Sequence, residues 1–372
     1  MSTIKRTIGV EIECILPDDL SRDAASAIRA AGADVGGDGS ISTDDGHGYE
    51  IRTKPMKGDE AEAAIRTIAA ALNGDNARVN TSCGLHVHAD ASAISLQKLV
   101  QHYSIGYSLA PEQSILYVHR NTFAAMMDSS EQAQAFEIID VIESGGSFIN
   151  ATGQYGDGLM VEMAGIRNRL RVSPSTGRYV IPDEQREQFY ACIINRAAIR
   201  AARQTMYNAM RFFGAVDTTI RSFVSASRRH NNYCQPFEKI TGSGGTMPRT
   251  LREVYARVSD RYCGINMQAL AKHGTIENRY HSGSINGEKI VHWARMWARC
   301  VDVALSHEAI READALCEMV NSKSRMDMFL ALLALPDDTE AYLRERVAAF
   351  GASDGKHAAS YIKNKKALVC AV

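Results

Sequence analysis

Long apolar runs are missing from this chain. No stretch reaches the roughly 18 consecutive apolar residues that a membrane-spanning helix needs, so no membrane partner is expected. The opening MSTIKRTIGV has no apolar core of the kind a secretory leader carries, and a cytoplasmic location is expected. Charge of one sign is missing too. Lys and Arg number 42 against 43 Asp and Glu, a net charge of −1. That balance removes the electrostatic case for nucleic acid or an anionic membrane as the main partner. The eight cysteines are scattered with no C-x-x-C spacing, which excludes a disulfide framework and reads as reduced, mostly buried thiols. Tryptophan occurs only twice, at Trp293 and Trp297. Both fall on the apolar stripe of one helical stretch and read as core anchors. What remains is ordinary for a globular protein, 45% hydrophobic and 23% charged. At 372 residues the chain is either one large domain with insertions or two domains.

The chemistry is concentrated in short segments. Ser82–Asp90 alternates, with Leu85, Val87 and Ala89 on one strand face and His86, His88 and Asp90 on the other. Alone, a His-x-His strand is as compatible with packed or surface histidines as with a metal or phosphate site. Residues 4–15 read the same way: Ile8, Val10, Ile12 and Cys14 share one face, Glu11 and Glu13 the other. Two carboxylates so placed repel each other unless a cation or basic group lies between them. Residues 21–32 predict a short helix capped by Ser21 and stopped at Gly32. Asp38-Gly39-Ser40 reads as a turn leading into a strand, Asp44-Asp45-Gly46 as a second turn, and Gly48–Thr53 as the return strand carrying Glu50. Residues 58–73 predict an amphipathic helix.

From about 92 to 230 the pattern turns helical, at 94–119, 131–143 and 184–213. A glycine-rich stretch at 144–182 interrupts it, with Arg167, Arg169 and Arg171 clustered inside. His102 and His119 read as structural. Chemistry returns at Ser227-Arg228-Arg229-His230-Asn231-Asn232-Tyr233-Cys234. Paired arginines can grip phosphate or carboxylate through bidentate forks, or simply form a solvated basic turn. Thr241–Thr246 lacks the Lys-Ser/Thr ending of a P-loop and is not a Walker motif. In residues 261–281, Thr275, Glu277, Arg279 and His281 are expected on one strand face, and Ile276, Asn278 and Tyr280 on the other. Asn286 is expected to cap a helix over 287–305, and 307–350 reads as further helix broken at Pro336.

Taken in order, GVEIE, DGSIS…YEIRT, CGLHVHAD, SRRHNNYCQP and GTIENRYHSGSINGEKIVHW resemble the amidoligase branch of the glutamine synthetase and glutamate–cysteine ligase superfamily. The resemblance covers about 1–90 and 220–305; the middle block departs from the compact family pattern. It implies an α+β fold, with a curved, mainly antiparallel sheet forming a funnel, helices packed outside, and a helical insertion. The implied division is 1–91 and 221–305 as the two parts of the sheet domain, 92–220 as the insertion or subdomain, 306–350 as a helical region and 351–372 as a tail. The implied activity is ATP-dependent joining of a carboxylate to an amine through an acyl phosphate, with small-molecule or peptide substrates. A homo-oligomer is compatible with the sequence. By similarity, Glu11, Glu13, Asp38, Glu50, His86 and Glu277 would hold Mg²⁺ or Mn²⁺. Asp38 lies farther from Glu50 along the chain than the family pattern has it. His88 would lie near the phosphates, Arg279 would neutralise the transferred phosphoryl group, and Arg228 or Arg229 would hold ATP phosphates or a substrate carboxylate. Two other readings fit the same segments: a metal-dependent hydrolase built on His86 and His88, and a non-catalytic binding protein on the same fold.

Overall fold

Strict alternation in the first segment makes strand β1 (Ile8–Leu16), with Ile8, Val10, Ile12 and Cys14 fully buried. A computed structural model describes residues 4–94, 171–172, 179–180, 183–229, 231–237, 249–258, 260–319 and 322–351. Among these residues the fold is α+β. Its main element is a six-stranded sheet in the order β2-β3-β1-β4-β8-β7, with every neighbouring pair antiparallel. The other strands are β2 (Ala33–Gly37), β3 (His47–Thr53), β4 (Gly84–Asp90), β7 (Ile265–Asn266) and β8 (Thr275–Ser282). A separate pair, β5 (Arg171–Val172) and β6 (Tyr179–Val180), is antiparallel as well.

Helices α1 (Arg22–Ala30) and α2 (Gly58–Gly74) alternate with the first strands as expected. Ser21 caps α1 by accepting from the Ala24 N–H, and Gly32 leaves it with φ +80°, the left-handed conformation glycine adopts without strain. Helix α3 (Asp183–Ser222) is longer than the predicted 184–213. It carries Ala202, Met206, Phe212, Phe213, Val216 and Ile220 into the same core as the sheet. The expected boundary at 220 therefore falls inside this helix. After α4 (Ala226–Arg229), α5 (Leu251–Arg257) and α6 (Ala269–His273) comes α7 (Gly287–Ala304), capped by Asn286. Helices α8 (Ala309–Glu318), α9 (Ser322–Leu333) and α10 (Asp337–Gly351) follow, with Pro336 between the last two. The expected helices at 94–119 and 131–143, His102 and His119, the loop at 241–246 and residues 352–372 lie outside the described residues.

One face of the sheet is covered by α2 and α7. Trp297 anchors α7 by donating from Nε1 to the Ile276 carbonyl at 3.1 Å, and its ring stacks on Phe213 of α3. Both tryptophans are fully buried, as their place on the apolar stripe requires.

One expectation about the hairpin needs correction. The arm before Asp38, not the segment after it, is the strand. Ala33–Gly37 pairs with residues 49–53 of β3, and 38–46 is a loop. Two glycines and an aspartate disguise this arm, because all three are poor strand formers and pairing alone makes it extended.

A buried ion pair ties the helices together. Arg295 of α7 donates to Glu62 of α2 at 2.7 and 2.9 Å and to Asp338 at 3.0 Å. Replacing Arg295 with Met is expected to lower stability by about 3 kcal/mol, because Glu62 stays buried and loses both of its short bonds to the guanidinium. Urea denaturation measures this, and an unchanged midpoint would show that the pair adds nothing.

Candidate active site

The sheet face opposite α2 and α7 gathers the charged side chains. The pleat that buries Val10 and Ile12 turns Glu11 and Glu13 the other way. Registers then align the strands: Glu13 lies opposite Glu50, Glu11 opposite His86, and His88 opposite Glu277. Asp38 follows β2 directly, its N–H bonded to the Gly48 carbonyl and its carboxylate accepting from the Ser40 N–H.

All six expected ligands meet, in two groups of three. Glu11, His86 and Glu277 form one group; Glu13, Asp38 and Glu50 form the other. Within each group, one donor atom per residue lies within 4.8 Å of the others. His86 links the two: its Nδ1 is 3.0 Å from Glu11 and 3.6 Å from Glu277, and its Nε2 is 3.8 Å from Glu13. The Gly84 N–H donates to Glu13 at 2.6 Å, and a Cβ on Gly84 would overlap His86 Nε2. This glycine is therefore required by close approach.

His88 is fixed through Nδ1 by the Thr275 hydroxyl at 2.9 Å, and the ring of His273 meets it edge-on at 5.8 Å. Its Nε2 lies 3.3 Å from Glu11, buried and completing no hydrogen bond. Glu277 accepts from Asn266 at 2.6 Å and from Arg279 at 2.5 Å. Arg52 stands on the same face opposite Glu11, with Nε 3.6 Å from Glu50.

The charges respond to one another. Burial opposes ionisation of Glu11, but the nearby His88 and His86 outweigh it and hold the carboxyl well below its ordinary range. Glu277 is also held low: burial is overcome by His88, Arg279 and His86. His88 moves up to about 9, because Glu277 and Glu11 outweigh burial. Glu50 moves the other way for a carboxyl, to about 7, through burial and the repulsion of Glu11 and Asp38 against the weaker pull of Arg52 and His86.

Two arginines expected at this face are elsewhere. Arg228 is buried, and its guanidinium donates to the carbonyls of Arg279 at 2.8 Å and Tyr280 at 3.4 Å. Arg229 donates to the carbonyls of Arg221, Val224, Ser222 and Phe350. Both guanidinium groups donate from Nε and Nη2 to backbone oxygens. His281 also departs from expectation. Leu85 pairs with His281 and Val87 with Asn278, so two residues of β8 oppose the single residue His86. This bulge flips the alternation and sends His281 into the core, its ring 4.9 Å from that of Trp293.

Asn266, Gly84, His273 and Arg52 were not singled out from the sequence, and Thr275 was placed on the polar face of its strand without a role. Gly84 and Arg52 sit inside quoted motifs and were within reach; Asn266 stands in a segment with no local signal.

The donor set fits a hard divalent cation. Five carboxylates and one imidazole suit Mg²⁺ or Mn²⁺, whereas zinc favours more nitrogen or sulfur. His88 Nε2, ion-paired with Glu11 at 3.3 Å and Glu277 at 3.8 Å, lies beside them. No helix among the described residues is long and apolar enough to cross a membrane. No curated protein and no solved structure matches the chain. A family model described as "Putative amidoligase enzyme" matches residues 21–112, about a quarter of the chain. The matched stretch carries Asp38, Glu50, His86 and His88; over that stretch the chain is similar to a family of amide-bond-forming ligases.

Proposed function

We propose that this protein is an ATP-dependent carboxylate–amine ligase, with the acidic sheet face as the floor of a glutamine synthetase-like funnel. The observation that carries the reading is the convergence of six ligand-type residues from separate strands into two groups, with Arg279 beside one of them. Joining an anionic carboxylate to an anionic phosphate requires concentrated positive charge. Divalent ions, when bound by Glu11, His86 and Glu277 and by Glu13, Asp38 and Glu50, supply most of that charge.

The chain's own groups do the rest. The substrate carboxylate oxygen takes the γ-phosphoryl group of ATP, releasing ADP. Arg279 holds the phosphoryl oxygens by its planar fork and balances the negative charge that develops as the amine attacks the acyl carbon. Phosphate then leaves, the amine nitrogen gives up a proton to solvent, and the amide or isopeptide bond remains. His88, charged and fixed by Thr275, faces the phosphates as a second cation. A metal-dependent hydrolase on His86 and His88 draws no support from the grouping, since only one histidine enters either set of three.

The test is calorimetric titration of the non-hydrolysable ATP analogue AMP-PNP into the wild type and Glu11→Gln, each with and without Mg²⁺. Magnesium-dependent binding that the substitution weakens is the expected result. Absence of nucleotide binding under every condition overturns the ligase reading.

A further inference from the structure

The β8 bulge lies beside the site and is held from several sides. Two residues, Arg279 and Tyr280, occupy the space where β4 offers only His86. A bulge disrupts the ladder, so its backbone groups need other partners. The Arg279 N–H finds the Gly264 carbonyl at 2.7 Å. The two bulge carbonyls receive the buried guanidinium of Arg228, Nη2 to Arg279 at 2.8 Å and Nε to Tyr280 at 3.4 Å. The Tyr280 hydroxyl donates to the fully buried carboxylate of Asp217 on α3. On the opposite side of this backbone, the Arg279 side chain reaches Glu277 at 2.5 Å.

We infer that Arg228 is a positioning residue: by gripping the carbonyls of the β8 bulge, it holds the Arg279 guanidinium against Glu277 at the edge of the metal-binding group. The inference rests on the ligase reading only for what Arg279 does there. A planar fork suits the task, because two neighbouring carbonyls need two donors in one fixed geometry, which a lysine ammonium cannot hold equally well. It also explains why a charged side chain sits 95% buried away from the acids: its donors are spent on backbone oxygens.

A double-substitution cycle separates this role from direct ligand contact. Arg228→Gln, Arg279→Gln and the double variant are titrated with AMP-PNP in the presence of Mg²⁺, and the thermal midpoint of each is recorded. Arg279→Gln is expected to bind about tenfold more weakly and Arg228→Gln about fivefold, with the double variant within about twofold of Arg279→Gln alone. The thermal losses are likewise expected to fall short of additive, because Arg228→Gln already releases Arg279 from Glu277. Additive losses in affinity, or full affinity in Arg228→Gln, overturn the inference.

A crystal structure of Arg228→Gln gives a readout independent of nucleotide. Displacement of Arg279 from Glu277 is expected, and a retained contact overturns the inference. Arg228→Lys serves both measurements if the glutamine variant does not fold. If wild type fails to bind AMP-PNP, the ligase reading falls, while the crystal structure still decides what Arg228 does.

Discussion

Glu277→Gln is expected to weaken divalent-ion binding by at least about a hundredfold, since even residues that only support a metal ligand are worth about 10–100-fold. The fold should survive. The glutamine carbonyl still accepts from Asn266 or Arg279, the two groups that bond Glu277 now. What disappears is the negative charge that balances His88 and Arg279. A bound cation then faces two fixed positive groups with one acid fewer. Calorimetry with Mn²⁺, alongside circular dichroism of the same sample, checks both halves. Metal affinity within a few-fold of wild type would remove Glu277 from the proposed ligand set.

The second large effect is a dependence on acid. Burial pushes the His281 imidazole down to about 3, with Arg346 of α10, Arg228 of α4 and Lys289 of α7 adding to it, against a smaller opposing bond to the Ser282 carbonyl. Trp293 closes the remaining side. In the unfolded chain the same group titrates near its ordinary value of about 6.5. Between these values the unfolded state binds the extra proton, so this stability is fully present above about pH 6.5 and is lost as pH falls toward 3. From pH 7 to pH 5 the loss attributable to His281 is about 2 kcal/mol. Urea denaturation of wild type and His281→Gln at both pH values isolates it. The glutamine variant should lose that much less on acidification; equal losses would place the acid sensitivity elsewhere.

Much of the architecture follows from local pattern. Period-two alternation in β1 and β4 predicts which side chains face the core, and burial agrees: Val10, Ile12, Leu85 and Val87 are buried, while Glu11 and His86 share the other face. The caps at Ser21 and Asn286 and the break at Pro336 are written in single residues whose backbone preferences act locally. The six residues that converge were legible for the same reason, since each acid or histidine stands on a predicted polar strand face or at a turn.

Three features were not legible, and each depends on contacts distant in sequence. Ala33–Gly37 is a strand only because β3 pairs with it. The partition of the six residues into two groups of three is set by inter-strand register, which no one strand contains. The β8 bulge reverses the expected face of His281 and gives Arg228 a pair of carbonyls instead of an anion, and it exists because β4 offers one residue where β8 has two. Sequence by itself determined the residues of the site and the elements that carry them, through short-range periodicity and turn chemistry. Only the tertiary structure decided which of those residues lie within reach of one another and that Arg279 contacts Glu277, because register and backbone bulges arise between strands and not within them.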